Sequence, residues 1–364
     1  MRARSVWGEA WRNLVTGTSR AGALAAVFAL AFGLLAFADV RSVATILQGA
    51  RTFQDAGAAV AVLKSGTPAV DGGRCDATAG TGAIRAAGAL RTGEPTTFAV
   101  MPSAHVATVE ATPGLLGLLP VVARPVGRDP RGAGGVWLSA DLAAALGAAP
   151  GATLQTSSGP ATVAGTYTWP DDGRARDLAY TVITPVPAVG PFTQCWAQTW
   201  PAGDGSNLIF TTLTPAGTAA QVTLGQLNST LGLRYDTQRL LDGRLTAATP
   251  WVAVGVGLVL GMAAIRARRL EIASSLHARV PRMDLTAQHV VEAAAWAASA
   301  SLIVAAVLTW AARSGSPGPG WTTVWDVGLR TVAAAVAATV LGTVAGLALT
   351  RERHLFRYTK DGGR

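Results

Sequence analysis

Four apolar stretches interrupt the polar background of this chain, at 21–40, 246–265, 289–312 and 327–350. At about 1.5 Å of rise per residue, each is long enough as a helix to cross roughly 30 Å of hydrocarbon. The pattern therefore predicts four spans. Between the first two lies a long segment, 41–245, and shorter connections run over 266–288 and 313–326, with flanks at 1–20 and 351–364. The first stretch follows Arg2, Arg4, Arg12 and Arg20, which invites a signal-peptide reading. Its apolar core is longer than such a region needs and no small-residue cleavage pattern follows, so it is expected to stay as a span.

The long segment has the alternations of a mixed α/β domain. Residues 135–139 read as a strand, 140–146 as a short helix stopped by Gly147, and 152–155 and 161–167 as two further strands. Pro and Gly clusters at 65–73, 127–135 and 185–205 predict loops, while 216–245, with few breakers, predicts a helical approach to the second span. At the N-terminus, Trp7, Trp11, Leu14 and Val15 form an apolar stripe beside Arg4 and Arg12. Periodicity leaves two readings open: a helix lying on the membrane surface, or an extension of the first span.

Charge fixes an expected orientation. Segments 1–20, 266–284 and 351–364 together hold 14 Lys/Arg against 5 Asp/Glu, whereas 41–245 holds 14 against 13. Lys and Arg accumulate on cytoplasmic flanks, so both termini and the 266–288 loop are expected inside a bacterial cell membrane and 41–245 outside. Trp251, Trp310, Trp321 and Trp325 fall at the expected outer ends of three spans, as an interfacial aromatic belt requires. The formal charge of +9 thus reads as topology and not as a nucleic-acid surface, which needs a basic stripe on a soluble fold. A hydrophobic content of 50% and a charged content of 14% agree.

Candidate chemistry is sparse. Cys75 and Cys195 are the only cysteines; both are expected outside, where an oxidising compartment favours a disulfide over two free thiols. No Cys/His cluster suits a metal. Ser103 and His105 are neighbours, but four histidines in the chain supply no nucleophile, base and orienter set, so no catalytic residue is expected. Asp171, Asp172 and Asp177 with Arg174 and Arg176 read as a solvated loop, and Glu292 as a carboxylate that snorkels from the inner end of the third span. The patterns Gly257/Gly261 and Gly342/Gly346 permit close helix approach. No phosphate-cradling Gly-x-x-x-x-Gly-Lys-Ser/Thr loop exists, and the only lysines are Lys64 and Lys360, so ATP is not expected to bind this chain.

After the second span comes Arg266-Ala-Arg-Arg-Leu-Glu-Ile-Ala273, then Val280-Pro-Arg-Met-Asp284 and His289-Val-Val-Glu292. This order resembles FtsX/MacB-type ABC transporter permeases. Trp7-Gly-Glu-Ala-Trp-Arg-Asn-Leu14 is similar to the same family's amphipathic N-terminus, and Val136-Trp-Leu-Ser-Ala-Asp-Leu-Ala-Ala-Ala-Leu-Gly147 to the core of its outer domain. One departure stands out. The family's Arg-Ala-Leu-Gly-like run is replaced by Leu276-His-Ala-Arg279, so the helix-ending glycine is missing and Pro281 is expected to end the helix instead.

The resemblance implies an α-helical membrane protein with four transmembrane helices and a mixed α/β extracytoplasmic domain inserted between helices 1 and 2. It implies a permease subunit without cofactor of its own, coupled to a cytoplasmic ABC ATPase pair that carries ATP and Mg. Glu271, Leu276, Val280, Pro281 and Met283 are the expected ATPase-coupling residues. Other expected partners are a second permease copy or paralogue, membrane lipids and an extracytoplasmic delivery or effector protein. Export, extraction and activation of a cell-wall hydrolase all occur in the family. The alternative is a membrane-anchored sensor or binding protein without an ATPase.

Overall fold

A computed structural model describes residues 3–17, 19–123, 134–201, 205–215, 221–315 and 320–351. The chain divides into two compact units, Met1–Gln48 with Gln238–Arg364, and Gly49–Thr237. The first helix, α1 (Ala3–Val15), ends before a turn in which Arg20 takes a left-handed backbone, φ 51°, and α2 (Ala21–Asp55) begins after it. This break separates the two readings of the N-terminus: α1 is a helix of its own. Its Trp7, Trp11 and Val15 are exposed, while Ala10 is buried. Helix α2 outruns the expected 21–40 span because its continuation carries no proline and buries Val43, Ala44, Ala50 and Phe53 along one side. The outer unit accordingly starts at Gly49 and ends at Thr237, narrower at both ends than the expected 41–245.

The outer unit contains β1 (Val60–Ser65), β2 (Val70–Asp71), α3 (Gly72–Ala77), β3 (Ile84–Thr92), β4 (Thr96–Phe98), β5 (Met101–Val106), β6 (Thr108–Ala111) and β7 (Val121–Ala123). It continues with β8 (Val136–Ser139), α4 (Ala140–Leu146), β9 (Thr153–Thr156), β10 (Gly159–Tyr167), β11 (Val182–Pro185), β12 (Pro191–Phe192), β13 (Gln194–Thr199) and β14 (Val222–Gln226). Twelve strands form one mixed sheet in the order β14-β1-β13-β3-β6-β11-β8-β10-β9-β4-β5, with β7 also on β10; β2 and β12 pair separately.

The stretch read from the sequence folds as expected. Ser139 Oγ caps α4 by accepting the Leu142 N–H at 3.4 Å, Gly147 ends the helix at φ 59°, and β9 and β10 form a hairpin. Three other expectations fail. The 185–205 loop contains β13, whose Cys195, Trp196 and Ala197 are buried between β1 and β3; residues 65–73 likewise contribute β2 and the start of α3. Of 127–135, the part through 133 lies outside the described residues. The described part of 216–245 is not a helical approach either: Val222-Thr-Leu-Gly-Gln226 pairs antiparallel with β1, and a short helix, α5 (Thr237–Asp242), follows. The β1 edge offers this segment hydrogen bonds that outweigh its weak helix preference.

Trp137, Tyr167, Trp196, Leu115 and Ile183 share the main outer core. The buried Tyr167 hydroxyl reaches the carbonyls of Leu178 (2.9 Å) and Thr181 (3.0 Å), and burial pushes its pKa up. A second cluster, with Leu63, Ile84, Phe192 and Ile209, surrounds the Cys75–Cys195 disulfide, which joins α3 to β13 with Cα atoms 5.9 Å apart.

After α5 come α6 (Thr249–Ala267), α7 (Arg269–His277), α8 (Arg282–Gly315) and α9 (Trp321–Leu349). Among the described residues, four helices are long and apolar enough to cross a membrane: α2, α6 with its lead-in from Leu245, α8 and α9. Helix α8 starts seven residues before the expected span because Pro281 can begin a helix, its carbonyl accepting the Asp284 and Leu285 N–H groups. The membrane unit packs Phe28, Phe32 and Trp296 in one cluster and Val40, Leu308 and Val324 in another. The 351–364 tail lies outside the described residues beyond Arg351.

Candidate functional site

Helices α6 and α9 are held together by absence of side chains. A Cβ on Gly261 would stand 2.1 Å from the Thr339 carbonyl oxygen, and one on Gly342 2.2 Å from that of Leu258. Gly257 faces Ala335 and Ala338, and Gly346 faces Ile265. All four glycines singled out in the sequence therefore line one seam, where backbones touch and dispersion replaces the hydrophobic drive that lipid cannot supply.

At the end of α6 the chain turns into α7, and a buried ionic hub sits at that corner. Arg268, the residue between the two helices, holds Glu271 with two bonds, Nη2–Oε1 at 2.6 Å and Nε–Oε2 at 2.9 Å. Its Nη1 also donates to Glu292 of α8. Glu292 further accepts from Asn13 of α1 at 2.7 Å and from Gln288 at 3.3 Å, and His289 Nδ1 lies 3.4 Å away. Burial opposes the charge on Arg268, but its pairing with Glu271 and Glu292 carries its pKa above the ordinary value. The hub corrects the reading of Glu292: its side chain is 4% exposed, so the carboxylate is paired and does not snorkel. A charge buried in such a setting needs its partner, and removing one member of a pair typically costs about 3–5 kcal/mol. Asn13 and Arg268 were not among the expected site residues. The only sequence trace was the three-residue spacing of Arg268/Glu271 and His289/Glu292.

Helix α7 ends in a Schellman pattern. The Val280 N–H donates to the Ser275 carbonyl at 3.1 Å, the Arg279 N–H to that of Leu276 at 3.0 Å, and Arg279 takes φ 64°. Arg279 thus occupies the left-handed position of the missing glycine, and Pro281 caps the following helix, contrary to the expectation that Pro281 ends α7. Among the five expected coupling residues, Met283 is 84% exposed and Pro281 is exposed, Val280 and Leu276 are half-buried, and Glu271 faces Arg268. Leu276 lines a mostly apolar cleft of about 200 Å³ with Ile272, Leu285, Val344 and Leu347.

Two further polar knots fasten helix ends. Within the membrane unit, the buried Asp39 of α2 accepts from Arg244 Nε and Thr249 Oγ1, both at 3.1 Å, and Thr249 lies 3.4 Å from Thr331 of α9. In the outer unit, Arg174 clamps Asp172 at 2.7 and 2.9 Å, donates to the Asp55 carbonyl at 2.8 Å, and lies over Trp169. Asn228 donates to the Ala56 and Asp172 carbonyls, each at 3.0 Å. Arg174, 4% exposed, is therefore the C-terminal cap of α2 and not part of a solvated loop, and its hydrogen bonds hold the Asp172 pKa below the usual carboxylate range. Arg176 and Asp171 do pair in solvent.

Ser103 and His105 sit exposed on β5, an edge strand, and no metal-holding His/Cys/Asp/Glu group occurs among the described residues.

No family model matches the chain, and neither does any curated protein. Among solved structures, it is similar to the periplasmic region of MacB from Actinobacillus actinomycetemcomitans at 9% identity and a TM-score of 0.36, covering 49% of this chain and 94% of that one. A domain of a putative permease protein from Porphyromonas gingivalis matches at 15% identity and 0.35, covering 48% and 92%. The extracellular domain of the noncanonic ABC-type transporter YknZ from Gram-positive bacteria matches at 13% and 0.33, covering 46% and 100%.

Proposed function

We propose that this chain is the membrane subunit of an FtsX/MacB-type ABC system, passing ATP-driven motion of a separate cytoplasmic ATPase to its outer domain for export, extraction or release of a substrate. The observation that carries this reading is the Arg268 hub. A push on α7 reaches α8 through Arg268–Glu292 and α1 through Asn13–Glu292, all at one corner of the four-span unit. ATP and Mg belong to the ATPase pair, and the permease acts as two copies, identical or paralogous. The basic α6–α8 corner faces the cytoplasm and the α/β unit faces out, by the charge asymmetry of the flanks.

Changing Glu271 to Arg and both Leu276 and Met283 to Ala should weaken ATPase association or uncouple its turnover, with membrane insertion intact. Met283→Ala alone, at an exposed position, should show the same direction more weakly without any effect on folding. The measurement is co-purification of the ATPase and its turnover in the complex. Unchanged binding and coupling in the triple variant would reject the contact site. A chain that co-purifies with no ATPase at all would instead support a membrane-anchored sensor or binding protein.

A further inference from the structure

We propose that β14, an open edge of the outer sheet, pairs antiparallel with β14 of a second copy of this chain, about a twofold axis at Leu224. The proposal rests on the two-copy reading above and names the surface through which the outer units meet. Strand β14 ends the sheet, bonded to β1 on one side and to no strand among the described residues on the other. The Gly66 N–H donates to the Gln221 carbonyl at one end of this ladder and the Leu227 N–H to the Val60 carbonyl at the other, so Thr223 and Gly225 turn their backbone groups to β1. Val222, Leu224 and Gln226 therefore turn theirs outward.

Natural sheet edges are guarded by proline, by charge or by a cover. Strand β5, at the other end of the sheet, carries Pro102; Val222-Thr-Leu-Gly-Gln226 has neither proline nor charge, and Thr223, Leu224 and Gly225 are exposed. A shallow hollow lies on each face of the strand. One, about 110 Å³, is walled by Val62, Trp196, Thr223 and Gly225, and its two charges, Lys64 and Asp177, pair with each other at 2.7 Å. The other, about 210 Å³, lies on the face of Ala61 and Leu224 and has no charged residue in its lining. An added strand sends alternate side chains to the two faces. With Leu224 opposite its own counterpart, the second copy directs its leucine to the larger hollow and its small Thr223 and Gly225 to the smaller one. A charged strand would instead bring a charge without a partner to this neutral edge, and twofold pairing meets the outward amides and carbonyls of both copies at once.

The test is oxidative cross-linking of the full-length protein in membranes, with one cysteine added and the Cys75–Cys195 bond intact. L224C should form an interchain disulfide, since facing residues of paired strands lie within disulfide reach. V222C should not, because its counterpart would stand about 14 Å away along the ladder; V189C, exposed elsewhere on the outer unit, should show chance collision only. In the L224C background, T223K/G225K sets like charges opposite each other and should lower the cross-linked fraction roughly tenfold. T223E/G225K, with opposite charges facing, should retain it and guards against misfolding, as a Cβ at Gly225 meets nothing within 4 Å. Cross-linking of V222C or V189C as strong as that of L224C would overturn the pairing, and so would an L224C adduct with another protein. An assembly that holds two copies and the ATPase but leaves L224C uncross-linked would overturn the edge alone, whereas a single-copy assembly would overturn the two-copy reading with it.

Discussion

The two units are held together by opposite means. The outer unit buries large side chains, Trp137, Trp196 and Tyr167 in one core and Phe192 in a second that encloses a covalent cross-link. The membrane unit brings backbones into contact at Gly257, Gly261, Gly342 and Gly346 and adds a few buried ionic knots. Water explains the first strategy, since removing aromatic area from it is strongly favourable. Lipid explains the second: an apolar side chain gains little by leaving hydrocarbon for protein, so close approach and polar pairing must hold the helices.

If the outer unit depends on its cross-link, replacing Cys75 and Cys195 by Ala should cost it about 4–5 kcal/mol, because the bond closes a 120-residue separation. Denaturation followed by tryptophan fluorescence measures this, and helicity of the membrane unit should be unaffected. A loss below about 1 kcal/mol would show that the aromatic core suffices alone.

The next largest effect belongs to the seam. Gly261→Val drives side-chain atoms into the Thr339 carbonyl and should destabilise the membrane unit by about 3 kcal/mol, read by reversible unfolding in mixed detergent micelles. Tolerance of valine there would mean that the α6–α9 contact is not set by backbone approach.

A gain is expected at the end of α7. Arg279→Gly relieves a left-handed residue and should add about 1 kcal/mol, seen as slower hydrogen exchange of the Ala278 to Val280 amides. Faster exchange would show that the arginine side chain is needed there more than its backbone is strained.

The smallest effect concerns Asp76 in the outer unit. Burial raises its pKa above 3.8 against the hydrogen bonds it accepts from Thr112 and Gly114. Its contribution to stability is therefore full below about pH 3.8 and is lost as pH rises through the raised value. The stability of wild type relative to Asp76→Asn should decline over that window. A rising difference would mean that the hydrogen bonds outweigh the desolvation.

The four spans and the β8–α4–β9–β10 stretch were legible because their periodicities are long or closely punctuated, as at Ser139 and Gly147. Strands β13 and β14 were not. Trp196 sits on a central strand flanked by prolines and glycines that suggest a loop, and Val222–Gln226 is a strand only because β1 is beside it. Within the candidate site, Glu271 could be named from the resemblance and the four glycines from their spacing, whereas Asn13, the Arg268–Glu292 pairing and the buried state of Glu292 could not, because the partners lie far along the chain: 279 residues separate Asn13 from Glu292.

The sequence by itself determined what depends on a residue's own run of neighbours: the number of spans, the charge asymmetry between their flanks, the positions where backbones can approach and the pair of thiols available for a disulfide. Tertiary structure decided which charges are buried and against what. Arg174, Arg268, Asp39 and Glu292 are each ordinary ionisable residues in one dimension. Only the fold, by excluding solvent and supplying a partner within hydrogen-bond distance, turns them into the fixed joints of the molecule, since a charge can leave water only where another replaces its hydration.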